Sequence, residues 1–449
     1  MPLSGAPYFV FLAAIFLLYW TLARVRLLGL AVLLLANYFF YARWGIQYLY
    51  LIPAASTCDF LIGLGLQRFR HPVARRVLVA LSLTLNLGIL VWFKWNPATL
   101  ALSFYVFQSL TYTLDLYKGY GKGTSSYLAH LTAVSFFPTV VAGPITRVCE
   151  LLAQLERRFV PVAPAESGRA IFLIGLGLIK KLLIADCLAQ NLVDRVFDLP
   201  RLYTGFETLI AVYGYALQLY YDFSGYTDIA IGSALLLGLK LPENFNMPYA
   251  AVSVADFWRR WHMSFSNWLR DYLYFSLPGL RSRLKIFTWF NLTLTMFLGG
   301  LWHGLTWNFA IWGLLHGAAL AATSAWQTWR GRSAVSNHWW TRPAKAFLTA
   351  QFVCFTWIFF RAPNLVDARA ILGRIGSLTF STENISPMLA GVMALALIGH
   401  YFPKDWFRLA QEWFSLVPFY AQAAAVTGVV VAIELLMGRG SAPFVYSRF

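Results

Sequence analysis

The sequence predicts an all-α fold, a polytopic bundle of transmembrane helices, and two observations predict it. Of 449 residues, 59% are hydrophobic and only 12% are charged, against about 25% charged in a soluble globular domain. A water-soluble chain of this length needs far more polar surface. The apolar residues also gather into runs near the roughly 20 residues that carry a helix across a bilayer.

In chain order these runs centre on 8–22, 27–42, 45–66, 77–95, 99–117, 127–146, 170–194, 206–238, 286–302, 305–327, 346–361, 387–402 and 415–437. About ten to twelve of them meet the length criterion, and the shorter ones are expected to be re-entrant or interfacial. None shows the period-two alternation of a transmembrane β-barrel. The first run is followed by others, so it is read as a membrane helix rather than a cleaved signal. The connecting segments are short: Lys118–Ser126, rich in Gly and Ser; Val160–Gly168, with Pro161 and Pro164; and Gly331–Pro343, with Trp339 and Trp340. No change of composition marks a second domain, so residues 1–449 are read as one. No repeat of 20–50 residues is visible, and no matched pair of broken helices points to a secondary transporter.

The formal net charge is +17. Its basic residues sit between spans, at Arg68, Arg70, Arg75 and Arg76, at Arg157 and Arg158, and at Arg281, Arg283 and Lys285. That distribution is a topology signal facing anionic headgroups. It gives no reason to expect a nucleic-acid partner. Cys58, Cys149, Cys187 and Cys354 are scattered without CxxC spacing, so neither a metal site nor a disulfide framework is expected.

Three segments can carry chemistry. Ile286–Trp329 holds no Asp, Glu, Lys or Arg over 44 residues. As one helix it would be about 66 Å long, about twice the ~30 Å hydrocarbon core, so it must break. Gly299-Gly300 and Gly304 are the expected places. His303 lies beside them, flanked by Trp302, with Asn308 just beyond. Backbone freed at membrane depth must be buried in protein or face a water-filled cavity. A neutral imidazole there can serve as a general base. A core histidine bonded to a carbonyl is the alternative. His316, a rise of ~20 Å further on in a helix, is expected to play a supporting role.

The second segment, Asp256–Leu273, plots as an amphipathic helix lying in the interface. Phe257, Trp258, Trp261, Phe265, Trp268, Leu269 and Tyr272 fill one arc, and Arg259, Arg260, Asn267, Arg270 and Asp271 the other. His262 falls on the apolar arc and should point inward. Arg259 and Arg260 could bind phosphates of lipids or of an acyl carrier, or simply anchor the helix among headgroups. The third segment, Gln218–Asp228, places Asp222 and Asp228 at membrane depth, where a carboxylate normally faces the bundle interior or a cavity. They read equally as the wall of a substrate cavity or as a structural network. Lys180 and Lys181 are expected to snorkel to the cytoplasmic surface.

The motifs together resemble the membrane-bound O-acyltransferases, and most closely their bacterial polysaccharide-modifying branch. The matching stretches run in order through the chain: Leu102–Gly119, Phe136–Arg147, Gly175–Asp186, Gln218–Gly232, Leu241–Tyr249, Asp256–Leu273, Phe297–Gly304, Trp312–Gly317 and Phe359–Ala362. The resemblance implies a ring of tilted helices around a central tunnel that joins a cytoplasmic donor side to an acceptor side. It implies that His303 is the family's near-invariant histidine and His262 its second, upstream position. It further implies a bacterial inner membrane location and acyl transfer from a thioester, acetyl-CoA or an acyl carrier, to hydroxyls. No bound cofactor is implied. The expected partners are membrane lipids, the cytoplasmic donor, a periplasmic acetyl-transfer protein and polysaccharide export machinery. His303 could act as general base or as transient acyl acceptor. The acceptor stays open among alginate, cellulose, peptidoglycan, teichoic acid and lipid, and a transporter or flippase without chemistry is the competing class.

Overall fold

A computed structural model of the chain describes residues 2–95, 100–140, 143–157, 160–280, 282, 284–330, 340–437 and 444. Arg158, Arg281, Arg283 and residues 331–339, with Trp339, lie outside them. Among the described residues every regular element is helical. Tyr48–Arg68, Pro72–Trp92, Trp307–Trp329 and Thr341–Arg361 are each long and apolar enough to cross a membrane. Large apolar side chains such as Val10, Leu35, Trp92 and Phe347 point outward, as suits a chain whose solvent is lipid. The protein is a multi-pass membrane protein.

The chain divides into two compact units. The first comprises Met1–Leu178, Gly225–Glu243 and Arg408–Val430; the second comprises Ile179–Ser224, Asn244–Phe407 and Val431–Phe449. In the first, the helices Ala6–Leu22 and Arg26–Ala42 pack Tyr8, Phe11 and Phe40 against Phe137, with ring centroids 5.1–6.3 Å apart. The run 127–146 is not the span its hydropathy predicts. It breaks into Tyr127–Val134 and Phe137–Val140, and an extended stretch with Pro144 follows. Pro138 lacks the N–H that a continuing helix would use. Asn37, fully buried, takes over at the break: its Nδ2 donates to Thr132 O, and its Oδ1 accepts from Phe137 N.

In the same unit the helices Tyr48–Arg68, Pro72–Trp95 and Leu100–Lys118 bury Asp59 completely. Its carboxylate accepts from Ser82 Oγ at 2.7 Å, Asn86 Nδ2 at 2.8 Å and Ser109 Oγ at 2.6 Å. The sequence reading did not single this residue out.

In the second unit, helical turns with one extra residue per turn interrupt the run 170–194, as π-helix over Ile179–Ala185 and Ala189–Val193. Such turns re-aim the side chains that follow and often occur at functional sites. The helix Gly205–Leu236 begins in this unit and ends in the first. Its 32 residues make ~48 Å.

The uncharged run after Lys285 does break. One helix, Lys285–His303, ends at the histidine, and the next, Trp307–Arg330, begins four residues later. The break falls at Gly304, not at the Gly299-Gly300 pair, which is helical. The glycines serve the packing of the two helices instead. A Cβ on Gly300 would come within 2.3 Å of Phe309 O, and one on Gly313 within 2.5 Å of Met296 O. Gly304 itself is extended, at φ −178. A Cβ there would meet the Phe309 ring at 2.6 Å.

Candidate active site

His303 is the last residue of its helix and only 4% exposed. Its ring sits in an aromatic cage. Centroids lie at 4.7 Å for Trp302, 4.8 Å for Phe360, 5.3 Å for Trp312, and 6.0 Å for Phe265 and Phe309. Phe360 belongs to the helix Thr341–Arg361, so three helices and the segment 263–268 converge on one imidazole. The packing fixes the ring's orientation, and the apolar walls keep bulk water away, which strengthens any electrostatic interaction made inside. Asn308, one turn after the break, donates from Nδ2 to Ala362 O at 2.6 Å. It ties the start of Trp307–Arg330 to the end of Thr341–Arg361. Its Oδ1 is buried without a hydrogen-bond partner among the described residues.

The segment Asp256–Leu273 is not one amphipathic helix. It forms Val254–Trp258, Met263–Trp268 and a π-helical turn Leu269–Leu273. The chain breaks at His262, which adopts φ 42 and ψ 54 in the left-handed region. A non-glycine residue pays roughly 1–2 kcal/mol to sit there, so the surroundings must impose it. Asn244 does so. Its backbone O accepts from Met263 N at 2.9 Å, and its Oδ1 accepts from Ser264 N at 3.1 Å and Ser264 Oγ at 2.9 Å.

The same Oδ1 lies 3.2 Å from His262 Nδ1. The Ser264 backbone N–H, which can only donate, identifies this atom as the amide oxygen, so Nδ1 carries the proton. Nε2 is then the basic nitrogen of a neutral imidazole. Burial pushes the His262 pKa down to about 3, which keeps the ring neutral at physiological pH. The ring points inward, as expected, with 1% exposure.

The two histidines share their walls. Phe265 stacks on His262 at 5.0 Å and on Trp302 at 4.5 Å, and its edge meets His303 at 6.0 Å. Both histidines therefore mark helix breaks in one aromatic cluster. His316 is different. It accepts from Trp258 Nε1 at Nδ1, 3.3 Å, and its Nε2 lies 2.9 Å from Thr356 Oγ1. Thr356 spends its own proton on Val353 O, so Nε2 is the donor, and both nitrogens of His316 are engaged. Trp312 separates it from His303, 5.0 Å from one ring and 5.3 Å from the other.

Arg259 and Arg260 both pair with Asp256, at 3.5 and 3.0 Å. Arg259 is largely exposed and Arg260 mostly covered. Asp222 and Asp228 are six residues apart on one helix and do not form a pair; Asp222 belongs to the second unit and Asp228 to the first. Asp222 has an unexpected partner. Lys181 does not snorkel to the surface: it is 1% exposed, with its Nζ 2.8 Å from Asp222 and 2.7 Å from Asp186. The π-helical turn Ile179–Ala185 presents it there. Lys180, its neighbour, is partly exposed. Residues missed in the sequence also include His400, whose Nε2 accepts from Tyr249 N at 3.2 Å. The motif Leu241–Tyr249 contains Asn244 and had no chemistry assigned to it.

The family model for the membrane-bound O-acyltransferases matches residues 120–362. This chain belongs to that family. It is an O-acyltransferase. It is 35% identical over 432 residues to a probable alginate O-acetylase of Pseudomonas aeruginosa, covering 90% of this chain and 80% of that protein. It is also 32% identical over 421 residues to a peptidoglycan O-acetyltransferase of Helicobacter pylori, covering 82% and 78%. A teichoic acid D-alanyltransferase of Bacillus subtilis is 28% identical over 272 residues, or 58% of this chain and 68% of that one. The acyltransferase reading stands in place of transport without chemistry. The matched span contains His262, His303, His316 and Asn308, together with the Lys181 centre.

Proposed function

We propose that this acyltransferase moves an acetyl group from a cytoplasmic thioester, acetyl-CoA or an acyl carrier, to hydroxyls of an exported polysaccharide of the alginate kind. Delivery is direct or passes through a periplasmic partner, and the protein works in the inner membrane beside the export machinery. The alginate O-acetylases among its relatives, matched over most of both chains, support this acceptor. The peptidoglycan enzyme offers the second acceptor worth assaying.

His303 acts as the general base. The observation that carries this role is its position: a buried imidazole at the end of a helix, held edge and face by Trp302, Trp312 and Phe360. It takes the proton as the hydroxyl oxygen attacks the thioester carbonyl carbon. The C–S bond breaks, the thiolate leaves, and the imidazolium returns the proton to sulfur. His262, with Nδ1–H held by Asn244, keeps a basic Nε2 in the same aromatic cluster and assists in placing the acyl group.

The test is transfer of label from acetyl-CoA to polysaccharide by purified protein in membranes, with its periplasmic partner supplied. His303→Ala is expected to insert normally and to lose about 10²–10⁴-fold in rate. His262→Ala should lose less. Undiminished acetylation by correctly inserted His303→Ala would overturn the assignment.

A further inference from the structure

The first unit carries a cavity of about 990 Å³ whose lining includes none of the residues assigned to the acyl-transfer site. Its walls come from the end of Ala6–Leu22, the start of Arg26–Ala42, the chain after Val148–Leu155, and residues 237–240. The last wall is firmly built. Gly238, left-handed at φ 75, ends the long helix, a conformation glycine adopts without penalty. Trp20 Nε1 donates to Leu236 O at 2.9 Å. Gln154 clamps Lys240 through both halves of its amide, donating to Lys240 O at 3.0 Å and accepting from Lys240 N at 2.7 Å.

The charge in this cavity is uneven. Arg24, Arg26, Arg157 and Lys240 line it against Glu156 and Glu166, four cations to two anions. Arg26 lies 3.8 Å from Glu156, and Lys240 lies 2.5 Å from Glu166. Arg24 and Arg157 have no carboxylate partner among the described residues, and both are exposed. Tyr19 and Trp20, half-buried at the end of the first helix, add an aromatic rim. Val160, 72% exposed, supplies an apolar face, whereas Leu30 and Leu33 are almost wholly covered.

Arg24, in the three-residue connection between two apolar helices, and Arg26, which opens the second of them, mark the cytoplasmic side. Tryptophan and tyrosine at a helix end mark the headgroup level. A phosphate is what two unpaired guanidinium groups bind best. An apolar wall beside them suits acyl chains.

We infer that this cavity holds the phosphate headgroup of an anionic phospholipid from the cytoplasmic leaflet, with Arg24 and Arg157 on the phosphate. The lipid would fix the first two helices to the chain segment 237–240. A soluble phosphate, such as that of coenzyme A, shares the headgroup chemistry but has no use for the apolar face of Val160 or for the rim of Tyr19 and Trp20 at the headgroup level.

The experiment uses the full chain in nanodiscs of phosphatidylcholine, with or without phosphatidylglycerol. Lipid retained after detergent extraction is counted by native mass spectrometry, and melting temperature is read beside it. Wild type should retain phosphatidylglycerol over phosphatidylcholine and melt higher in its presence. The double variant Arg24→Ala/Arg157→Ala should lose this preference by about thirty-fold, a factor of about five per arginine. Its melting temperature in pure phosphatidylcholine should match wild type, which shows that it folds. Arg24→Lys/Arg157→Lys should keep much of the preference. Equal retention by wild type and the alanine variant would overturn the site. Displacement of the retained lipid by coenzyme A or inorganic phosphate would overturn the lipid as its occupant.

Discussion

Asp59 in the first unit and Asp222 in the second are both fully buried carboxylates on apolar helices, and they are held in opposite ways. Asp59 is held by neutral donors alone: two serine hydroxyls and an asparagine amide, with Thr113 bonded behind Ser82 at 2.8 Å. Asp222 is held by a charge, the ammonium of Lys181, which it shares with Asp186. The first arrangement can rearrange, since each hydroxyl comes from a neighbouring helix and has its own helix carbonyl as an alternative partner. The second commits three charges to one place. Removing any one of them leaves the rest uncompensated. The difference teaches where the fold is tolerant and where it is not. The Asp59 network can lose a member and adjust. The Lys181 centre, on a π-helical turn in the unit that also holds His262 and His303, cannot.

The sharpest way to break the comparison is Lys181→Met. It removes the ammonium that Asp186 and Asp222 share, and the expected loss of stability is about 3–5 kcal/mol. Reversible unfolding in mixed micelles would measure it. The triple change Lys181→Met/Asp186→Asn/Asp222→Asn removes the charges together and should recover much of that loss. If Lys181→Met alone unfolds like wild type, the ion pairs do not hold this region together.

Asp59→Leu should cost less, about 1–3 kcal/mol for donors stranded in the same assay. Its serines can turn back to their own helices, so the three losses do not add. Asp59→Asn should cost less again, because the amide introduced still accepts from Ser82 or Ser109. A loss for Asp59→Leu equal to that of Lys181→Met would erase the distinction between the two regions.

The sequence exposed the residues of the second region more readily than their arrangement. The break beside His303 follows from length alone, because an uncharged run of 44 residues cannot stay one helix in a bilayer. Its position at Gly304 does not follow, since a glycine that relieves packing and one that relieves the backbone look alike until the neighbouring helix is in place. Lys181 was misplaced for a related reason. Two adjacent lysines inside the apolar run 170–194 point about 100° apart on a regular helix, and the pattern does not say which of them the bundle covers; the π-helical turn Ile179–Ala185 presents Lys181 inward. That insertion leaves no mark in composition. His262 was placed on the right face of the wrong helix: the apolar periodicity was real, but the break is imposed by Asn244, 18 residues away. Asp59 carries no signal in the sequence because its partners are serines and an asparagine on two other helices.

The smallest expected effect tests the exposed edge of the second region. Asp256 sits in the short helix that leads to His262; its carboxylate accepts from Val252 N at 3.1 Å and Arg260 Nε at 3.0 Å, while its own N–H donates to Ser253 Oγ at 3.1 Å. Burial alone would raise its pKa. The Arg260 hydrogen bond, the Val252 N–H and the charges of Arg260 and Arg259 outweigh burial and hold it below the usual carboxylate value. A depressed carboxylate adds stability that is fully present above its unfolded pKa, about 3.9. That stability is lost as pH falls through the lower, folded value. Wild-type melting temperature should therefore decline below about pH 4, and Asp256→Asn should flatten that part of the decline while leaving a modest deficit at neutral pH. Arg259 is too exposed for its share to survive salt, so raising ionic strength should change little if Arg260 and the Val252 amide hold the carboxylate. A strong salt effect would assign the shift to Arg259 and make this edge of the region a surface feature, unlike the buried ammonium that holds Asp222.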